Sequence, residues 1–152
     1  MIKKIAIMVI VCLYFSCQKT PEIKTKHNIL NEQERAILKD EILEDRFTNL
    51  LPQLMDDADI DMWLLISREY NEDPILKTML PSTWLHARRR TIIIFFRDKS
   101  KNTLERMAVA RYDIGKSIQS AWDTEKEPNQ WKALAEIIKD RNPKKIGINM
   151  SK

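Results

Sequence analysis

Two short runs concentrate the side chains able to do chemistry. Ser67-Arg68-Glu69-Tyr70-Asn71-Glu72-Asp73 gathers a hydroxyl, a guanidinium, a phenol and three carboxylates, and Arg88-Arg89-Arg90 sets three guanidiniums side by side. Guanidinium groups grip carboxylates in a two-pronged fork, so the triple arginine can hold a peptide carboxylate. At a helix end the same cations would complement the dipole while their stems cover apolar surface. Both readings stand on the sequence. Arg68, Glu69 and Tyr70 follow an apolar run, the place where open α/β sheets commonly present ligand contacts. The alternative is a surface pairing of Arg68 with Glu69, beside a helix capped by Asp73. Ser67 as a nucleophile would need a base, but the only histidines are His27 and His86, and neither lies in a recognisable catalytic motif. Nor does either have carboxylates at ligand spacing, so no metal site or catalytic residue is assigned.

The elements that must position these runs alternate in type. Asn31 with Glu34 has the pattern of a capping box, and Leu43, Phe47, Leu50, Leu51, Leu54 and Met55 recur at helical spacing up to Ala58. Pro52 lies inside that pattern and predicts a kink near Leu51. Met62 to Ile66 and Thr91 to Phe96 are continuous apolar runs of strand length, which suits strands buried on both faces in the middle of one sheet. Glu105 to Tyr112 reads as a third strand, antiparallel to the second, with Met107 and Val109 on one side and Arg106 and Ala108 on the other. Asp73-Pro74 starts a short helix over Ile75 to Leu80, Pro81 stops it, and Ser82 or Thr83 caps a further helical turn carrying His86. Trp131, Leu134, Ala135, Ile137 and Ile138 share a helical face ended by Asn142-Pro143, and Lys145 to Asn149 then forms a core strand. Trp63, Trp84 and Trp131 stand among core residues, with Trp84 beside the arginines a candidate for an interdomain surface; Trp122 lies in a polar loop. The expected class is α/β, a single domain with a mixed sheet flanked by helices.

Composition narrows the partners. The 26 Lys and Arg against 22 Asp and Glu are interspersed, giving a formal charge of +4 over 152 residues. A run of three arginines is too short to follow a phosphate backbone, so nucleic-acid binding is not expected. Lys3 and Lys4 precede an apolar stretch from Ile5 to Phe15, shorter than the about 20 residues a spanning helix needs. That is a signal-peptide pattern. It ends in Tyr14-Phe15-Ser16-Cys17, similar to a bacterial lipobox in which Cys17 becomes the lipidated first mature residue, although Tyr14 stands where Leu is usual. An ordinary cleaved signal with an incidental cysteine is the alternative. The expected organisation is a leader over 1–16, a polar tether over 17–30 and a folded body over 31–152. The expected location is the bacterial cell envelope, lipid-anchored and facing the periplasm. Cys12 would leave with the leader, so the mature body would have no internal disulfide.

The run from Leu50 through Met55, then Ile60 to Pro74, is similar to the opening domain of a bacterial branch of the creatinase/aminopeptidase P family. Thr78-Met79-Leu80-Pro81, Trp84, the triple arginine, Trp131 to Ala135 and Asn142 to Asn149 resemble the same domain in the same order. The resemblance covers about Asn31 to Lys152. It implies an N-terminal, non-catalytic α/β domain, a creatinase N-terminal-like domain, joined in the family to a pita-bread catalytic domain. There two aspartates, a histidine and two glutamates hold a divalent metal pair, often manganese, that hydrolyses the bond before proline. This sequence has no counterpart of that segment, so no cofactor is expected in this chain and the chain alone is expected to be inactive. The implied partners are the catalytic domain, a second copy in a homodimer and the membrane through the lipid. Arg68, Glu69, Tyr70, Arg88, Arg89 and Arg90 are the residues expected to face a substrate cleft. A self-standing, lipid-anchored binding or assembly module is the alternative reading.

Overall fold

The computed structural model describes residues 29–150. The leader, Cys17, His27 and most of the expected tether lie outside these residues. Among the described residues no helix is long and apolar enough to cross a membrane.

Helix α1 (Glu32–Asp45) opens on the capping box the sequence predicts: Asn31 accepts from the Glu34 amide, and the Glu34 carboxylate accepts from the Asn31 amide. It does not stop at Pro52. A π-helical turn over Arg46–Leu50 leads into α2 (Leu51–Asp57), so the irregularity falls one turn before the proline. Because Pro52 carries no N–H, the preceding turn widens and the helix continues with its apolar face intact. Leu43, Phe47, Leu51 and Met55 are all buried on that face.

Five strands form one mixed sheet in the order β4-β3-β2-β1-β5. They are β1 (Met62–Arg68), β2 (Arg90–Asp98), β3 (Thr103–Ala108), β4 (Gln119–Ser120) and β5 (Ile146–Ile148). The two most apolar runs are two of the three interior strands, β1 and β2, paired antiparallel with Leu65 opposite Ile93. Alternation along them feeds two cores. Leu65, Ile93 and Phe95 pack with α1, α2 and the short α3 (Pro74–Thr78), whereas Met62, Leu64, Ile92 and Ile94 pack with α4 (Gln130–Arg141). The result is three layers, helices on both faces of the sheet.

Four sequence expectations change. First, β3 ends at Ala108 rather than Tyr112, though the Val109 amide still donates to Ile92 and the two faces divide as predicted. Second, Ser82 and Thr83 start no helical turn: the Ser82 hydroxyl and amide both donate to Asp40 on α1, and a single turn closes from the Trp84 amide to Pro81. His86 and the arginines therefore sit in a loop, and the helix-dipole reading of the triple arginine has no helix to act on. Third, the buried face of α4 is Ala133, Leu134 and Ile137; Ala135 is exposed and Trp131 is 46% exposed. Fourth, β5 is an edge strand that pairs in parallel with β1 and leaves Ile146 and Ile148 exposed.

Candidate functional site

The sheet's antiparallel register brings the two chemical runs together. Arg68 pairs with Arg90 across β1 and β2, which sets Glu69 beside Arg89. The Glu69 amide donates to the Arg89 carbonyl at 2.7 Å, and the Arg89 amide donates to the Glu69 carboxylate at 3.1 Å. Glu69 is thus committed to backbone, not to Arg68, and the predicted surface pair does not form. On the other side of β2, Ile93 faces Ala108; continuing that register sets position 111 opposite position 90. Arg111 thereby joins the triple arginine.

Around these residues lies an open cleft of about 530 Å³ at the carboxyl end of β1. Arg88, Arg89, Arg90 and Arg111 line it together with the aromatic residues Trp84, His86, Tyr112 and Trp122, and Glu69 is its one carboxylate. Its floor is fixed. The Gln130 amide group, at the start of α4, donates to the Val109 carbonyl at 2.5 Å and the Arg90 carbonyl at 3.3 Å, tying helix to sheet. Thr91 accepts from the Arg88 amide at 3.1 Å and holds the arginine loop against β2. The Trp122 indole N–H donates to the Glu127 carbonyl at 2.6 Å, which fixes the ring as a wall.

Electrostatics set this loop apart. The Arg88 guanidinium lies 5.5 Å from the Trp84 ring centre, and that of Arg90 lies 4.7 Å from the ring centre of Trp131. Among the described residues, Arg97, Arg106 and Arg141 each hold a carboxylate within 2.9 Å, while the four cleft guanidiniums form no ion pair, as is also true of Arg35, Arg46 and Arg68; what distinguishes the four is that they share one cleft. Arg89 has φ of 48° and Tyr70 has φ of 66°, two non-glycine residues in the left-handed region at the rim.

The candidates divide accordingly. Glu69, Arg88, Arg89 and Arg90 share the cleft; Arg68 and Tyr70 do not line it, and Tyr70 projects to solvent at 93% exposure. Sequence reasoning missed Arg111, Tyr112, Trp122 and Gln130. The signal for Arg111 was the strand register, which becomes usable only once the pairing of β2 and β3 is known. Trp84, read both as core and as a possible surface residue, is half-buried and partnered with Arg88.

The described residues offer no metal centre: no group of three or more His, Cys, Asp or Glu side chains converges, and the His86 ring meets the Ala87 carbonyl. A metal pair does not fit them. No family model, curated protein or solved structure matches this chain.

Proposed function

We propose that this chain serves as the non-catalytic N-terminal domain of an exported, Xaa-Pro aminopeptidase-like metallopeptidase, and that its arginine-lined end helps to wall the catalytic cleft of the joined domain. One observation carries the reading. Four guanidiniums without carboxylate partners, backed by aromatic faces, surround the carboxyl end of a central strand, where an open α/β sheet presents ligand contacts. The order of the family-like runs along the sequence supports the same assignment. On this reading the chain binds and orients, excludes water from one side of the cleft, and performs no bond-breaking step itself. The divalent metals belong to the catalytic domain, and the lipid on Cys17 holds the assembly at the cell envelope.

The test begins with the DNA after the codon for Lys152. An in-frame segment carrying two aspartates, a histidine and two glutamates in the family's order is expected. The joined protein should cleave a peptide before proline, with kcat/KM reduced when Arg88 and Arg111 are both replaced by Gln. A stop codon in intact DNA, with no such segment nearby, overturns the reading.

The lining of the cleft comes from several separate parts of this chain, the end of β1, the segments before β2 and after β3, and the start of α4. That favours, as the second reading, a lipid-anchored binding module that works alone.

A further inference from the structure

We infer that the cleft is a binding site for the carboxylate-bearing end of a short acidic peptide, with Arg88 and Arg111 making the principal contacts. Arg88 is exposed, with its guanidinium 5.5 Å from the Trp84 ring centre, and it forms no ion pair among the described residues. Arg111 is exposed on the facing loop. That second loop is tied down: the Ser120 hydroxyl donates to the Ala110 carbonyl at 2.6 Å, and the Ser120 amide donates to Asp113 at 2.7 Å. Two forks on fixed backbones meet a ligand with little ordering left to do.

The distribution of charge selects the ligand class. A single small anion is best held by donors converging on one point, as at a helix N-terminus. Here the cations come from two separate loops, with Trp84, Tyr112 and Trp122 between them, in a space of about 530 Å³. Such a lining matches several carboxylates spread along a chain that has apolar stretches of its own. A nucleic-acid strand would also offer spaced anions and flat rings, but it needs a basic track that continues beyond the pocket. No such track continues here: after Arg111 the chain up to α4 carries Asp113, Asp123, Glu125 and Glu127 with only Lys116 and Lys126 among them. The preference for a peptide over another polycarboxylate rests on the accessory-domain reading above.

The experiment uses the chain by itself, so it stands apart from any cleavage assay. Tryptophan fluorescence and calorimetry follow the addition of an acidic pentapeptide with a free carboxyl terminus. Parallel samples receive its amidated Asn/Gln counterpart, inorganic phosphate, and a single-stranded oligonucleotide. The acidic peptide should bind with a dissociation constant below about 1 mM, and the neutral amidated one at least roughly tenfold more weakly. R88Q with R111Q should abolish the difference while far-ultraviolet circular dichroism stays unchanged; R88K, which keeps the charge and loses the fork, should fall between. Equal binding of the two peptides overturns the inference, as does unchanged binding by R88Q/R111Q. Phosphate or the oligonucleotide binding as tightly as the acidic peptide overturns it too. Peptide binding without Xaa-Pro cleavage by the joined protein would retain the site and remove the peptidase reading; cleavage without binding would do the reverse.

Discussion

Replacing Asn149 tests how the end of β1 is held. Its side chain acts as an extra peptide group beyond the last paired residue of β5. The Asn149 Oδ1 accepts from the Ile66 amide at 2.8 Å, and Nδ2 donates to the Ile66 carbonyl at 3.1 Å and to Asp73 Oδ2 at 2.9 Å. Asp73 is buried and caps α3 by accepting from the Ile75 amide at 2.7 Å, and its own amide donates to the Ser67 hydroxyl oxygen at 3.1 Å. Asn149→Ala removes all three bonds and leaves a buried carboxylate short of one donor. Two neutral bonds at about 1 kcal/mol each and one to a charged acceptor at about 1.5–3 kcal/mol would sum to about 4 kcal/mol. Ile66 is half-buried, so water recovers part of this. The expected loss is about 2–3 kcal/mol, read as a lower urea midpoint at unchanged slope.

Asn149→Asp sharpens the test. The shape is kept, but a carboxylate oxygen replaces the donor facing Asp73, and two like charges at contact force one pKa upward. At pH 7 this variant should be less stable than Asn149→Ala. As pH falls toward 5 one carboxyl takes up a proton and restores a donor, so its deficit should shrink. A deficit of Asn149→Asp that is flat between pH 7 and 5, or a loss below about 0.5 kcal/mol for Asn149→Ala, would refute the role given to this carboxamide.

Phe47→Ala should cost about 3–5 kcal/mol in the same assay, because the ring is fully buried against Phe95 at 5.3 Å between centroids and also underlies the Arg106 guanidinium. Gly115→Ala should be destabilising by at least about 1 kcal/mol, since φ is 65° there and the new Cβ would lie 2.8 Å from Pro81 Cγ. Acid should weaken the fold. Burial pushes Glu44 up, but Arg106 and Ser117 outweigh it and hold the carboxyl below the ordinary range; hydrogen bonds from Arg97 do the same for Asp56. Both are charged when folded, so their contribution is present above the ordinary carboxylate range. It is lost as pH falls from about 4 through the lowered values. A melting temperature that stays level down to pH 2 would contradict this.

The layer arrangement was legible because it depends on local pattern. Continuous apolar runs with both faces buried could be read at β1 and β2, and cap chemistry gave the starts of α1 at Asn31 and α3 at Asp73. What escaped depends on long-range partners. Ser82 has good capping chemistry, yet Asp40 on α1 takes both its donors. Trp131 falls within the apolar pattern of α4, yet it turns outward and meets Arg90, a partner far away in sequence. Arg97, a charged residue beyond the apolar run Thr91 to Phe96, still lies within β2 and is buried, its guanidinium meeting Asp56 and Asn102. Half the cleft was invisible for the same reason, as Arg111 and Trp122 reach it only through the β2–β3 register and the loop to α4.

The two ends of the sheet are built on opposite electrostatic plans, and this contrast bears on function more than any single residue does. At the amino end of β1, Asp56 pairs with Arg97, Lys145 pairs with Asp59, and Lys99 lies between Asp59 and Asp61. The Asp61 carboxylate also accepts the Lys144 and Lys145 amides. Each of these six side chains has an opposite neighbour. In the cleft at the carboxyl end, four guanidiniums stand around Glu69, a carboxylate already engaged by a backbone amide. Folding gathers these like charges from separate loops and gains no ion pair in return, so their repulsion opposes stability. A ligand carboxylate would reverse the sign of that term. The same substitutions therefore have opposite expected effects on the two properties: R88Q/R111Q should leave the free chain as stable or slightly more stable, and should weaken the acidic peptide. A double variant that loses stability while still binding the peptide would show that these arginines serve the fold instead.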